Sequence, residues 1–131
     1  MYGSFRQGVP EGKYQVIEFL DAQEMGDALV AADLVVSRAG LSAMSELTVL
    51  GKPVVIVPLA GTHQEENAKY WTSRNAARLL EEKNMEMFPA EIIKLINNTE
   101  ELEYLSKNIK TLMPADGAKQ LAEYLMGELG E

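Results

Sequence analysis

The sequence predicts an α/β domain: a parallel sheet, Rossmann-like in its alternation, covered by helices on both faces. Three observations carry this. Short apolar runs alternate with helical stretches along most of the chain, the signature of βαβ units. One run, Pro53-Val-Val-Ile-Val-Pro58, is continuously β-branched between two prolines, which suits a strand buried on both faces. The chain of 131 residues, 47% hydrophobic and 24% charged, has the size and composition of one folded domain able to bury roughly two-thirds of its unfolded surface.

In order, Met1 to Lys13 shows no periodicity and is expected to be a loop or a truncated start. Tyr14-Gln-Val-Ile-Glu-Phe-Leu20 is β-rich and reads as a first strand. Asp21 to Ala31 has helix composition, with Met25, Leu29 and Val30 on one side and Asp21 best placed as its cap. Asp33 to Ser37 is a second apolar run. Leu41 to Leu50 is helical, with Leu41, Met44 and Leu47 at spacing three, and Gly51 ends it. The Pro53–Pro58 strand follows, then a helix over Gln64–Asn75 and a weaker strand over Ala76–Leu80. Helices over Ala90–Asn97, Glu101–Leu112 and Gly117–Leu129 close the chain, with Asp116 as the last N-cap. No repeat, low-complexity tract or linker divides it, so residues 1–131 read as one domain.

The composition excludes several classes of function. A formal charge of −8 argues against nucleic acid, whose binding draws on Lys and Arg, and against anionic lipid held by charge alone. With no cysteine, disulfides, zinc–thiolate sites and thiol nucleophiles are excluded. No apolar run approaches the ~18 residues that span a bilayer, and the amino-terminal stretch lacks a signal peptide's apolar segment. No metal or other cofactor is expected.

In open parallel sheets, ligands bind where strands lead into helices. The loop after the second run reads Ser37-Arg-Ala-Gly-Leu-Ser-Ala-Met-Ser-Glu46. Gly40 lets a ligand approach the backbone. The first N–H groups of the next helix, at Leu41, Ser42 and Ala43, suit a diphosphate. Glu46 lies one turn past Ser42, about 5.4 Å along the axis, where a carboxylate can accept from both ribose hydroxyls. The alternative is bland: Ser42 as a helix-start residue and Glu46 as a solvated acid. The loop after Pro58 reads Leu59-Ala-Gly-Thr-His-Gln-Glu-Glu-Asn67. Thr62 and Glu65 have capping-box spacing, which puts His63 and Gln64 in the first turn and Asn67 one turn on. These three either meet sugar hydroxyls or are exposed surface polars. No partner is evident to orient His63 as a base, so no catalytic residue is assigned. Trp71 and Tyr70 are expected in the core or half-buried. Glu81-Glu82 and Glu100-Glu101 are expected on solvated faces.

Taken together, Phe19-Leu20-Asp21, Ala31-Ala-Asp-Leu-Val-Val-Ser-Arg-Ala-Gly40, Ser45-Glu-Leu47, Gly51-Lys-Pro53, Val57-Pro58 and His63-Gln-Glu-Glu-Asn-Ala68 resemble the carboxyl-terminal, donor-binding domain of MurG-type glycosyltransferases, family 28. The likeness covers about Tyr14 to Ala76, with a weaker echo at Pro114-Ala-Asp-Gly-Ala118. It implies the carboxyl-terminal half of a GT-B enzyme that moves N-acetylglucosamine from UDP-N-acetylglucosamine to the lipid-linked muramyl-peptide precursor of peptidoglycan. It further implies work at the cytoplasmic, inner face of the plasma membrane. By position, the backbone at Leu20 would meet uracil, and Leu41, Ser42 and Ala43 the diphosphate beside Gly40. Glu46 would meet the ribose, and His63, Gln64 and Asn67 the sugar. Ala43 stands where the family often has Thr, and His63 where it often has Gln. The family's Gly-Gly-Ser-type opening loop and amino-terminal acceptor domain have no counterpart here, so the sequence reads as a truncated polypeptide, inactive alone. A donor-binding subunit of a split family 28 transferase and a non-catalytic nucleotide-binding module are the rival expectations.

Overall fold

The computed structural model describes residues 15–112. Helix α1 spans Ala22–Ala31, strand β1 Val35–Ser37, α2 Leu41–Leu50, β2 Val54–Ile56, α3 Gln64–Thr72 and β3 Arg78–Leu79. A 3-10 segment, Glu82–Met87, then leads into α4, Phe88–Ile96, and α5, Thr99–Lys110. The expected start at Met1–Lys13, the Asp116 cap and the helix over Gly117–Leu129 lie outside the described residues.

The three strands form one parallel sheet in the order β1-β2-β3, with Val35 opposite Val54 and Val55 opposite Arg78. Every residue from Pro53 to Pro58 is buried, as the proline-bracketed run predicts for a central parallel strand. Side chains alternate across a strand, and β2 divides the core accordingly. Val54 and Ile56 join Met44 and Leu47 of α2 and Ala68 and Trp71 of α3. Val55 and Val57 join Leu95 of α4 and Leu105 of α5. The result is a sheet between two helical layers, the Rossmann-like arrangement expected. Trp71 is buried, and its indole N–H donates to Thr48 Oγ1 at 2.8 Å, so the ring adds apolar area without stranding a polar group. Tyr70 is half-exposed and packs edge-on against it.

The ends of α2 fall where two glycines place them. Gly40 is its extended N-cap, and Gly51 closes it in the left-handed conformation at φ 68°. A Cβ at Gly51 would also overlap the stem of Lys110, which lies across it. Lys52 donates from Nζ to Val30 O at 2.7 Å and Ala32 O at 2.9 Å. Its cation thereby meets the last carbonyls of α1, where the helix dipole is negative. Asp21 caps the other end of α1 in a capping box with Glu24, as its position after the first run suggests.

Several expectations need correction. Residues 15–20 form no strand, and Ile17 and Phe19 stay 57% and 79% exposed. Composition alone does not pair a strand, and the described sheet joins only β1, β2 and β3. The second run pairs only from Val35 onward. Helix α3 ends at Thr72 rather than Asn75, because Asn75 turns into positive φ at 57°. The expected strand over Ala76–Leu80 contracts to two residues. Helices α4 and α5 each begin two residues before their expected starts. Pro89 sits in the first turn of α4, where its missing N–H costs nothing. The Asn98 side chain caps α5 by accepting from Glu101 N.

Candidate nucleotide-sugar site at the carboxyl edge of the sheet

In a parallel sheet all strands end on the same edge, and here three loops meet there: 38–40, 57–63 and 80–82. A hydrogen bond from Val57 N to Ser37 O, 2.8 Å, carries the pairing of β1 and β2 to this edge. Arg38 then donates to Val57 O at 3.3 Å and forms an ion pair with Glu82, just past β3. Asn67, one turn into α3, donates from its amide to Ala39 O at 3.0 Å. The loops after β1 and β2 are therefore held together by both side chain and backbone.

The start of α2 has the geometry of an anion site. Gly40 is its N-cap, at φ −68° and ψ 138°, and space is open where a Cβ would stand. Among the described residues no side chain caps this helix, and its first turn carries no acid. The other four described α-helices differ. Each has at least one Glu in its first turn, and α1 and α5 also have side-chain caps. A helix start leaves its first N–H groups without intrahelical partners, and at α2 no side chain among the described residues meets that demand. Leu41, Ser42 and Ala43 are all exposed there, and Glu46 is exposed one turn on.

The start of α3 is built differently. His63 rather than Thr62 occupies its N-cap, with helical angles of φ −59° and ψ −16°. The expected Thr62–Glu65 capping box is displaced. Thr62 Oγ1 donates to Leu59 O at 2.6 Å and accepts from Gln64 N at 3.2 Å. Glu65 reaches past Thr62 to accept from Gly61 N at 2.8 Å. Gly61, at φ 74°, makes that tighter path possible. Gln64 Oε1 accepts from Leu59 N at 2.9 Å, so the amide oxygen serves the loop rather than facing outward. Asn67 is half-buried rather than a plain surface polar. Its bond to Ala39 fixes the amide plane and leaves the carbonyl oxygen to accept from a hydroxyl. His63 is exposed, and among the described residues no side chain orients its ring.

The structure thus gathers Gly40, Leu41, Ser42, Ala43 and Glu46 on one helix, and His63, Gln64 and Asn67 on its neighbour. Leu20 is half-buried immediately before the Asp21 cap, on a separate segment. A cleft of about 280 Å³ lined by Pro58, Ala60, Glu65, Lys69 and Glu82 opens at the same carboxyl edge. A larger one, about 940 Å³, opens at the opposite edge beside Asp33, Lys52 and Pro53, away from the helix starts that could hold an anion. Among the described residues no helix is long and apolar enough to cross a membrane.

Two acids expected on solvated faces are only partly exposed. Glu82 pairs with Arg38, and Glu101 pairs with Arg78. Glu81 does face solvent, beside Lys83. The Arg38–Glu82 and Asn67–Ala39 contacts escape a reading of the sequence. The available signal is topological: Arg38 and Glu82 each lie just past a strand's carboxyl end, and parallel strands bring those ends together.

The family model described as glycosyltransferase family 28 C-terminal domain matches residues 3–121. The UDP-N-acetylglucosamine--N-acetylmuramyl-(pentapeptide) pyrophosphoryl-undecaprenol N-acetylglucosamine transferase of Flavobacterium psychrophilum is 34% identical, over 86% of this chain and 31% of its own length. Its counterpart in Parabacteroides distasonis is 40% identical, over 78% of this chain and 29% of its own. The crystal structure of Acinetobacter baumannii MurG aligns with a TM-score of 0.69 at 25% identity, covering 86% of this chain and 33% of that one. The chain therefore spans about a third of the length of the relatives it matches. With the ordered motifs, the parallel sheet and this match over most of its length, the chain belongs to the family of glycosyltransferase family 28 C-terminal domains.

Proposed function

We propose that this chain binds UDP-N-acetylglucosamine as the donor domain of a transferase that adds N-acetylglucosamine to the lipid-linked muramyl-peptide precursor of peptidoglycan. One observation carries the reading. The α2 start is the one described α-helix start with neither a side-chain cap nor a first-turn acid, and it opens at the edge where parallel sheets bind ligands.

The diphosphate sits against the N–H groups of Leu41, Ser42 and Ala43, with the Ser42 hydroxyl adding a donor and Gly40 giving access. Fixed dipoles aimed at a doubly charged group need no reorganisation when it arrives. Glu46 accepts from the ribose hydroxyls. The backbone at Leu20 meets the uracil. The sugar lies toward α3, where the N–H donors of Gln64 and the carbonyl oxygen of Asn67 match neutral hydroxyls, with His63 at the rim.

Transfer also needs the acceptor positioned, which supplies much of the rate of a two-substrate reaction. We assign that role to an acceptor domain outside these 131 residues, working at the inner face of the plasma membrane. The test is calorimetric titration of the chain with UDP and with UDP-N-acetylglucosamine. Both should bind, the sugar nucleotide more tightly, and the chain alone should transfer no sugar to a lipid-linked muramyl acceptor. Absence of UDP binding by a folded chain would refute the donor-site assignment.

A further inference from the structure

We infer that Arg38 and Glu82 form a positioning pair that presets the α2 start for its ligand, an inference that rests on the donor-site reading above. Arg38 lies two residues before the Gly40 cap, on the short link from β1 to α2. Its guanidinium donates to Val57 O at the end of β2 and pairs with the Glu82 carboxylate just past β3. One side chain thus spans the ends of all three strands, and Glu82 joins it from 44 residues away. From the other side, Asn67 holds the next carbonyl, Ala39 O. With residues 38 and 39 each tethered, the direction in which Gly40 delivers the first N–H groups of α2 is fixed.

Charge supports the same division of labour. An unpaired Glu82 carboxylate on this edge would repel a diphosphate. Paired with Arg38, it has its charge balanced and does structural work instead. The side chains of Arg38 and Glu82 are 52% and 35% exposed, so the pair is partly solvated and of modest strength. Its value lies in orientation, because a guanidinium presents several donors in a fixed fork. Arg38 Nη1 faces both the Val57 carbonyl and the Glu82 carboxylate, so one end of the fork ties the two together. Neither residue needs to touch the donor.

Three variants of the full chain test this: Arg38→Gln, Glu82→Gln and the double substitution. In the ligand-free protein, each single change should move the amide resonances of Leu41 to Ala43, with the melting temperature nearly unchanged. That readout requires no ligand, so it stands even if UDP fails to bind. With UDP as probe, each single change should weaken affinity by about two- to fivefold, the scale of a partly exposed pair. The double variant should be no weaker than the worse single, because the two residues act as one unit. Arg38→Lys keeps the charge and should recover part of the loss. Tighter UDP binding by Glu82→Gln would overturn the proposal, since it would mark Arg38 as a direct anion ligand for which Glu82 competes. Unmoved Leu41–Ala43 resonances in both single variants would overturn it equally.

Discussion

The starts of α2 and α3 sit side by side at the same sheet edge, yet they handle the same physical problem in opposite ways. At α3 the chain meets much of its own demand. Thr62, Gln64 and Glu65 are hydrogen-bonded within their loop, and two acids occupy the first turn. At α2 no described side chain does so, and Gly40 leaves open space instead. The lesson is that polarity and availability differ. The polar-rich loop spends much of its hydrogen-bonding capacity on its own shape, within the Leu59–Thr62 stretch and the helix start beside it. The plain loop leaves its donors uncapped by any described side chain.

The comparison breaks most sharply if α2 is made to resemble its neighbour. Gly40→Asp supplies the missing cap at a position whose backbone angles suit any residue. It should cost about 3 kcal/mol or more of UDP affinity, since charge-assisted bonds are lost and like charge is added. Folding stability should meanwhile rise by a few tenths of a kcal/mol, about the margin of Asp over Gly at an N-cap. Calorimetry and thermal melts on the same samples check both signs. A variant that binds UDP as well as the parent removes the α2 start from the site.

Next in size, Glu46→Ala should weaken UDP by about 1.5–3 kcal/mol, the scale for hydrogen bonds to a charged group. The helix itself should hardly respond, because Glu and Ala are both good helix formers. Equal affinities would return Glu46 to the status of a solvated acid. Gln64→Ala addresses the other loop. It should weaken UDP-N-acetylglucosamine by about 0.5–1.5 kcal/mol and leave UDP alone. It should also lower stability slightly, because Leu59 N loses its acceptor. If both ligands weaken equally, the two loops do not divide diphosphate from sugar. Smallest, Thr62→Val should cost about 0.5–1.5 kcal/mol of stability, with UDP affinity unchanged. A drop in UDP affinity there would show that the start of α3 also serves the diphosphate.

What the sequence reveals follows from how local each determinant is. The bounds of α2 are legible because Gly40 and Gly51 mark its ends. The central strand is legible because prolines bracket a β-branched run that only a doubly buried strand favours. Residues 15–20 mislead because strand pairing is set by the tertiary arrangement, which β-rich composition does not encode. The Thr62 cap misleads by one residue, since positive φ at Gly61 lets Glu65 serve a different N–H. Gly40 to Glu46 can be picked out in sequence because strand, glycine and helix start are contiguous. Arg38–Glu82 and Asn67–Ala39 cannot, because they join residues 44 and 28 positions apart. Only the parallel sheet brings them together.

The most direct test of the site is a titration of UDP into the isotopically labelled chain, followed by amide resonances. The backbone N–H groups of Leu41, Ser42 and Ala43 should shift strongly as UDP saturates. Those from His63 to Asn67 should move only slightly until UDP-N-acetylglucosamine replaces it. Strong shifts at His63–Asn67 with UDP alone, and a quiet α2 start, would contradict the assignment of the diphosphate to Gly40–Ala43.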